Sequence, residues 1–172
     1  MTDSSAKVDN LVDWLRDAHA MEQQAETMLK AQSSRLENYP KLKARIDQHI
    51  EETLGQQKLL DGCLARLNAS PSTIKDMGGK IMAFGQGASG MFVSDEVIKG
   101  AMSGYVFENM EIASYTVLIA AAKAAGDLET QRACEQILPQ EEAMAAWLKE
   151  HLPELTQAYL ARDAAPDTTA KR

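Results

Sequence analysis

Apolar residues recur along this chain at the alternating three- and four-residue spacing of a helix's inner seam, and they do so in four separate segments. The first stripe runs Leu11, Leu15, Ala18, Glu22, Ala25 and Leu29. The second carries Leu42, Ile46, Thr53, Leu60 and Leu67. The third runs Ile98, Ala101, Tyr105, Glu108, Ile112, Tyr115, Ile119 and Ala122, and the fourth Leu138, Glu141, Ala145, Leu148, Leu152, Leu155 and Tyr159. Proline and glycine punctuate the stripes. They predict helices from about Val8 to Asn38, from Pro40 to Leu67, from just after Ser94-Asp95-Glu96 to Gly126-Asp127, and from Leu128 to about Leu160. Ser94 or Asp95 is placed to cap the third helix. The fourth is expected to bend at Pro139 and to break or kink at Pro153.

The connections decide the topology. Tight turns join the first helix to the second and the third to the fourth, whereas the stretch from Ser70 to Ser94 is long enough to span the length of a bundle. That stretch holds Gly78, Gly79, Gly85, Gly87 and Gly90 among Ile81, Met82, Phe84, Met91 and Phe92, with room for a short helix or two. A crossover of this length lets the second and third helices run parallel, as in ferritin-like bundles. The expected fold is therefore an all-α, ferritin-like four-helix bundle with one long crossover. Residues 1–160 form its single domain, and residues 161–172 a flexible C-terminal tail.

Three of the four seams contain an acid where Leu or Ile is expected: Glu22, Glu108 and Glu141. Burying one unpaired carboxylate costs several kcal/mol, against a total stability of roughly 5–15 kcal/mol, so several coexist only if a cation neutralises them. The second helix adds His49, Glu52 and Gln56 on one face. Glu111, slightly off its seam, lies three residues beyond Glu108, and His19 lies three before Glu22. Glu22, Glu52, Glu108, Glu111 and Glu141 fall at similar depths along their helices. Hard oxygen donors with one or two imidazoles suit iron or manganese better than zinc or copper, and two ions bridged by carboxylates are the natural occupant. The bland alternative is a set of interhelical salt bridges with some of the 18 Lys and Arg residues. Tyr105 and Tyr115 lie within reach of Glu108, as hydrogen-bonding groups, electron donors or plain packing.

Composition narrows the function classes. With 172 residues, 45% hydrophobic and 25% charged, the chain suits one domain with a real core. Its net charge of −7 argues against a phosphate-binding surface, so no nucleic-acid partner is expected. No apolar run approaches the roughly 20 residues of a membrane span, and the opening MTDSSAKVDN lacks a secretory segment, so residence in the cytoplasm is the default. Cys63 and Cys134 read as small buried residues. The apolar, glycine-rich crossover is the candidate surface for a homodimer.

The motifs AHAMEQQAE, HIEETLGQ, ENMEIASYTVLIAAAKAAGD and LPQEEAMAAWL closely resemble those of the YciE/YciF family of bacterial stress proteins, across residues 9–160. That family is ferritin-like by fold and resembles rubrerythrins in its Glu-x-x-Glu pair on the third helix, here Glu108 and Glu111. The resemblance implies Glu22, Glu52 and Glu141 as ligands from the other three helices. The chain departs from the usual di-iron pattern: Gly55 and Met144 stand where histidines would follow Glu52 and Glu141. His49, with His19 and Gln56 as weaker candidates, could compensate. Two functional expectations follow. One is a stress-associated protein with two iron or manganese ions per chain, reducing peroxide or dioxygen if it is an enzyme. The other is a stress-induced structural or interaction protein with a degenerate site.

Overall fold

In a computed structural model, which describes residues 3–71, 94–166, 168 and 170, the four expected helices form an antiparallel pair of hairpins. They are α1 (Asp3–Ser33), α2 (Pro40–Arg66), α3 (Glu96–Ala125) and α4 (Leu128–Asp163). α1 packs on α2 and on α3, and α4 packs on α3 and on α2. Arg35, just past the end of α1, pairs with Glu96 at the first residue of α3. α3 therefore begins at the end of the bundle where α2 also begins, so α2 and α3 run parallel as the long crossover requires. The glycine-rich core of that crossover, residues 72–93, lies outside the described residues; its start is fixed by Arg16, whose Nε donates to the Ser70 carbonyl at 3.0 Å.

Local chemistry sets the helix ends. α1 stops at Ser33, five residues before the expected Asn38, and the chain turns through residues 34–39 so that Pro40 opens α2, where its missing N–H is no loss. Asp95 sits at the N-cap of α3 without making a capping bond and pairs instead with Lys99 at 3.0 Å. Gly126 closes α3 in the left-handed conformation, φ 75°, and the following N–H of Asp127 reaches back to the Ala122 carbonyl at 2.9 Å. Asp127 then caps α4 by accepting from the Thr130 N–H, while Arg66 of α2 pairs with both Asp127 and Glu129. Neither Pro139 nor Pro153 ends α4. The helix continues to Asp163, into the segment expected to be a flexible tail, and the Tyr39 hydroxyl donates to the Ala170 carbonyl at 2.6 Å.

The core is a column of aliphatic side chains. Leu11, Leu15, Leu42, Ile46, Leu60, Leu64, Leu118, Ile137 and Leu148 are all 2% exposed or less, and each contributes about 1.5–3 kcal/mol by leaving water. The α2 seam keeps its expected positions and adds polar ones between them, whereas the α3 seam departs from the expected one. On α2 the buried positions continue Ile46, His49, Thr53, Gln56, Leu60, so three polar residues occupy the seam. On α3 the inward face is Ala101, Glu108, Glu111, Tyr115, Leu118 and Ala122, with Tyr105, Ile112 and Ile119 only partly buried. The shift brings Glu111 from the flank to the centre.

Candidate metal centre

Midway along the bundle the aliphatic column gives way to acids. Glu22 of α1, Glu108 and Glu111 of α3 and Glu141 of α4 are each 2% exposed or less, and His49 of α2 is 1% exposed. His49, Glu108, Glu111 and Glu141 can each present one ligand atom such that all four atoms lie within 4.8 Å of one another. His49 Nε2 is 3.1 Å from Glu108 Oε2 and 3.4 Å from Glu141 Oε2. Glu22 faces the same group from α1, its charge acting on Glu111, and its Oε1 accepts from the Tyr115 hydroxyl. Four helices thus contribute, two of them through a single acid.

A ring of polar groups fixes these side chains. His49 Nδ1 lies 2.7 Å from Glu52 Oε2, and Glu52 also accepts from Gln48 at 2.9 Å and Arg45 at 3.3 Å. Glu52, expected as the ligand from the second helix, stands one step back from the four-residue group and holds the imidazole that occupies the inward position. Gln56 donates to Glu141 Oε1 and to Gln140 Oε1, the latter at 2.9 Å. His19 is buried but turned elsewhere, its Nε2 3.0 Å from Asp61. Gly55 faces open space, so a histidine there would not reach the interior, while Met144 is buried in the core. The imidazole that occupies the inward position on α2 is instead that of His49, three residues before Glu52. Gln140 was not among the expected residues; only its position beside Glu141 could have drawn attention to it.

The electrostatics are those of a site short of positive charge. Burial, with the charges of Glu22, Glu108 and Glu141 added, pushes the Glu111 carboxyl well above the usual range. Burial and the Glu141 charge do the same to Glu22, and burial raises Glu108 to about 7 against the opposing hydrogen bond from His49. For His49, burial alone favours the neutral ring, but hydrogen bonds with Glu108, Glu141 and Glu52 outweigh it and raise its pKa to about 12. One imidazolium and retained protons thus balance the acids when nothing else does.

That balance is incomplete in hydrogen bonds. Both carboxylate oxygens of Glu111 and Oε2 of Glu22 are buried without a hydrogen-bond partner among the described residues. Oε2 of Glu108 and of Glu141 meets no donor there but the single Nε2 of His49, at 3.1 and 3.4 Å. An unsatisfied buried polar group costs about 1–3 kcal/mol, and more when charged, so native interiors rarely keep several side by side. Four acids with free lone pairs and one imidazole nitrogen form the donor set that iron(II) or manganese(II) prefers. The residues present fit such ions, with Glu22, His49, Glu108, Glu111 and Glu141 as the holders.

Comparison with known proteins agrees with this architecture. The profile of a family described as "Domain of unknown function (DUF892)" matches residues 6–161. A structure of a protein from Xanthomonas campestris pv. campestris shares 43% identity with a TM-score of 0.80, covering 92% of this chain and 99% of that one. The Escherichia coli stress protein YciF shares 22% identity, TM-score 0.72, covering 90% of this chain and 97% of its own. A bacterioferritin of Desulfovibrio desulfuricans, described by its diiron site, also shares 22% identity with a TM-score of 0.72, over 98% of this chain and 95% of its own. The last two likenesses establish the ferritin-like fold. No helix among the described residues is long and apolar enough to cross a membrane.

Proposed function

The chain belongs to the DUF892 family, as the motif resemblance to YciE and YciF anticipates, and from that membership and its buried acids we propose a ferritin-like protein holding two iron or manganese ions. The observation that carries this reading is Glu111. Its carboxylate is 1% exposed, crowded by the acids Glu22, Glu108 and Glu141, and no N–H or hydroxyl donor among the described residues reaches either oxygen.

In this reading Glu22, Glu108, Glu111 and Glu141 supply oxygen atoms and His49 supplies Nε2. Bound iron or manganese would supply the redox electrons for reducing peroxide or dioxygen, the activity we assign to a stress-associated protein of this kind. The protein's own groups do the positioning. The Tyr115 hydroxyl fixes one oxygen of Glu22 and leaves the other free, and Gln56 fixes Oε1 of Glu141, whose Oε2 faces His49. Glu52 accepts at His49 Nδ1, which turns Nε2 toward the interior. The aliphatic layers on either side, such as Leu15 and Leu148, keep bulk water away. Displacement of the His49 and carboxyl protons makes binding proton-linked.

The proposal extends to a cytoplasmic homodimer. Met102, Val106 and Val117 are exposed apolar residues on the outer side of α3, and such residues suit contact with a second copy. Anaerobic titration with manganese(II), followed by disappearance of the free-ion paramagnetic resonance signal, tests the metal reading. Saturation near about two ions per chain is expected; a free-ion signal that grows from the first addition would refute it.

A second reading, a structural or interaction protein with a degenerate site, draws on one observation. His49 already sits between Glu52, Glu108 and Glu141 and partly neutralises them by itself. Under it, manganese(II) binds no more tightly to the wild type than to a His49→Ala variant.

A further inference from the structure

Between α1 and α3 lies a cavity of about 170 Å³, the size of apolar protein cavities that hold benzene or xenon. It follows α3 from Lys99 and Gly100 near the surface to Glu108 in the buried acid group, about 12 Å at the helical rise of 1.5 Å per residue. Two glycines of α3, Gly100 and Gly104, lie in its lining. A Cβ at Gly100 would meet Gln32 Nε2 at 2.8 Å, and one at Gly104 would meet Leu148 Cδ1 at 3.4 Å. Ala25, Leu29 and Phe107 complete a wall made mostly of carbon.

The polar groups that do reach the cavity say what it would admit. Glu108 lines its inner end, and the Gln32 amide nitrogen in its wall is buried without a partner among the described residues. The outer rim carries Arg35 and Lys99, paired with Glu96 and Asp95. A hydrated divalent cation would have to shed its water against carbon to get in, whereas a neutral diatomic molecule has no such shell to lose.

We propose that this cavity is the passage by which a small neutral apolar molecule, of the dioxygen class, reaches Glu108 and the acid group, with metal cations arriving by another path. The functional sense of the passage rests on the metal reading above, but its capacity for an apolar gas does not. Glu108, one member of the acid group, lines the inner end, and the rim, at the end of the bundle where α1 stops and α3 starts, is partly exposed.

Xenon and nitric oxide are the probes. Crystals of the metal-free wild type under xenon pressure are expected to show xenon against Phe107 and Gly104. Ala31→Phe, which fills the cavity from α1, abolishes it, and Ala124→Phe on the exposed face of α3 does not. Ala31→Leu serves as a smaller plug should phenylalanine disturb the helix. In iron(II)-loaded protein, the stopped-flow association rate of nitric oxide is expected to fall at least about tenfold in the plugged variant at equal iron content, a loss of access rather than of affinity. No xenon in the wild-type cavity, or an unchanged nitric oxide rate in both plugged variants, overturns the proposal. A wild type that retains no iron refutes the metal reading instead, and the xenon result alone then decides whether the cavity admits gas.

Discussion

His49 and Glu52 form a buried-to-surface pair within one turn of α2: Nδ1 lies 2.7 Å from Glu52 Oε2, and the opposite nitrogen faces Glu108 and Glu141. Burial tends to raise the Glu52 carboxyl, yet the hydrogen bond with His49 and the charge of Arg45 hold it below the usual range, so it stays an acceptor at neutral pH. A carboxylate behind a ligating imidazole fixes the ring and raises its basicity.

Glu52→Gln is therefore expected to lower manganese(II) affinity about 10- to 100-fold while leaving the saturating stoichiometry intact. Calorimetric titration of the two proteins measures both quantities. A lost equivalent of metal would instead make Glu52 a direct ligand, as the family resemblance implied.

Glu111 gives a prediction of opposite signs in two states. In chelator-treated protein, Glu111→Leu removes a buried acid without partners and is expected to raise unfolding stability by about 1–4 kcal/mol in urea. In the metal-loaded protein the same change is expected to cost metal content and to lower the melting temperature. A destabilised metal-free variant would show that Glu111 is satisfied by the protein itself.

Much of this was legible in the chain, and what was not has identifiable causes. Glu22, Glu108 and Glu141 stood out because their neighbours at three- and four-residue spacing are apolar, and all three are buried. Glu111 was placed off the seam because apolar residues lie all round α3, so periodicity could not distinguish Glu111, Tyr115 and Leu118 from Ile112 and Ile119. On α2 the expected seam is buried, but His49, Glu52 and Gln56 share one face, so spacing alone does not tell the inward His49 and Gln56 from the half-buried Glu52. The approach of His49 to Glu108 depends on how α2 and α3 pack across the bundle, which no local pattern encodes. The crossover expected to cover a dimer surface lies among residues that the structure does not describe.

The pH dependence follows from the proton balance. Glu22, Glu108 and Glu111 titrate above their ordinary 4.5 in the folded chain, Glu108 at about 7. Over that interval the native state holds more protons than the unfolded state, so stability falls as pH rises. His49, raised from 6.5 to about 12, acts in the same sense: its contribution is complete below 6.5 and is lost as pH rises toward 12. Asp47, Glu52 and Asp127 are shifted downward, and their opposite effect lies below the ordinary carboxylate range. The metal-free protein is thus expected to melt at lower temperature at about pH 8 than at about pH 5. Because metal replaces those same protons, the rise in melting temperature on adding manganese(II) is expected to grow over the same interval. Thermal melts with and without chelator check both trends, and a metal-free protein that gains stability toward pH 8 would contradict them.

The exposed apolar residues on the outer side of α3 carry the dimer proposal. Val106 and Val117 are 66% and 48% exposed, and placing charge there costs the monomer little. The Val106→Glu, Val117→Glu double variant is expected to elute as a monomer with an unchanged melting profile, where the wild type scatters light as a dimer. Identical masses for the two proteins would move the interface elsewhere.

The most direct test of the central claim is metal content by mass spectrometry. It would use untagged protein from iron- and manganese-supplemented cells, beside a Glu22→Ala, Glu108→Ala variant that keeps its helical content. The account predicts about two ions per wild-type chain, with the variant nearly empty. A folded wild type that carries no metal under either supplement would contradict it, and would leave the buried acids balanced by His49 and their own protons.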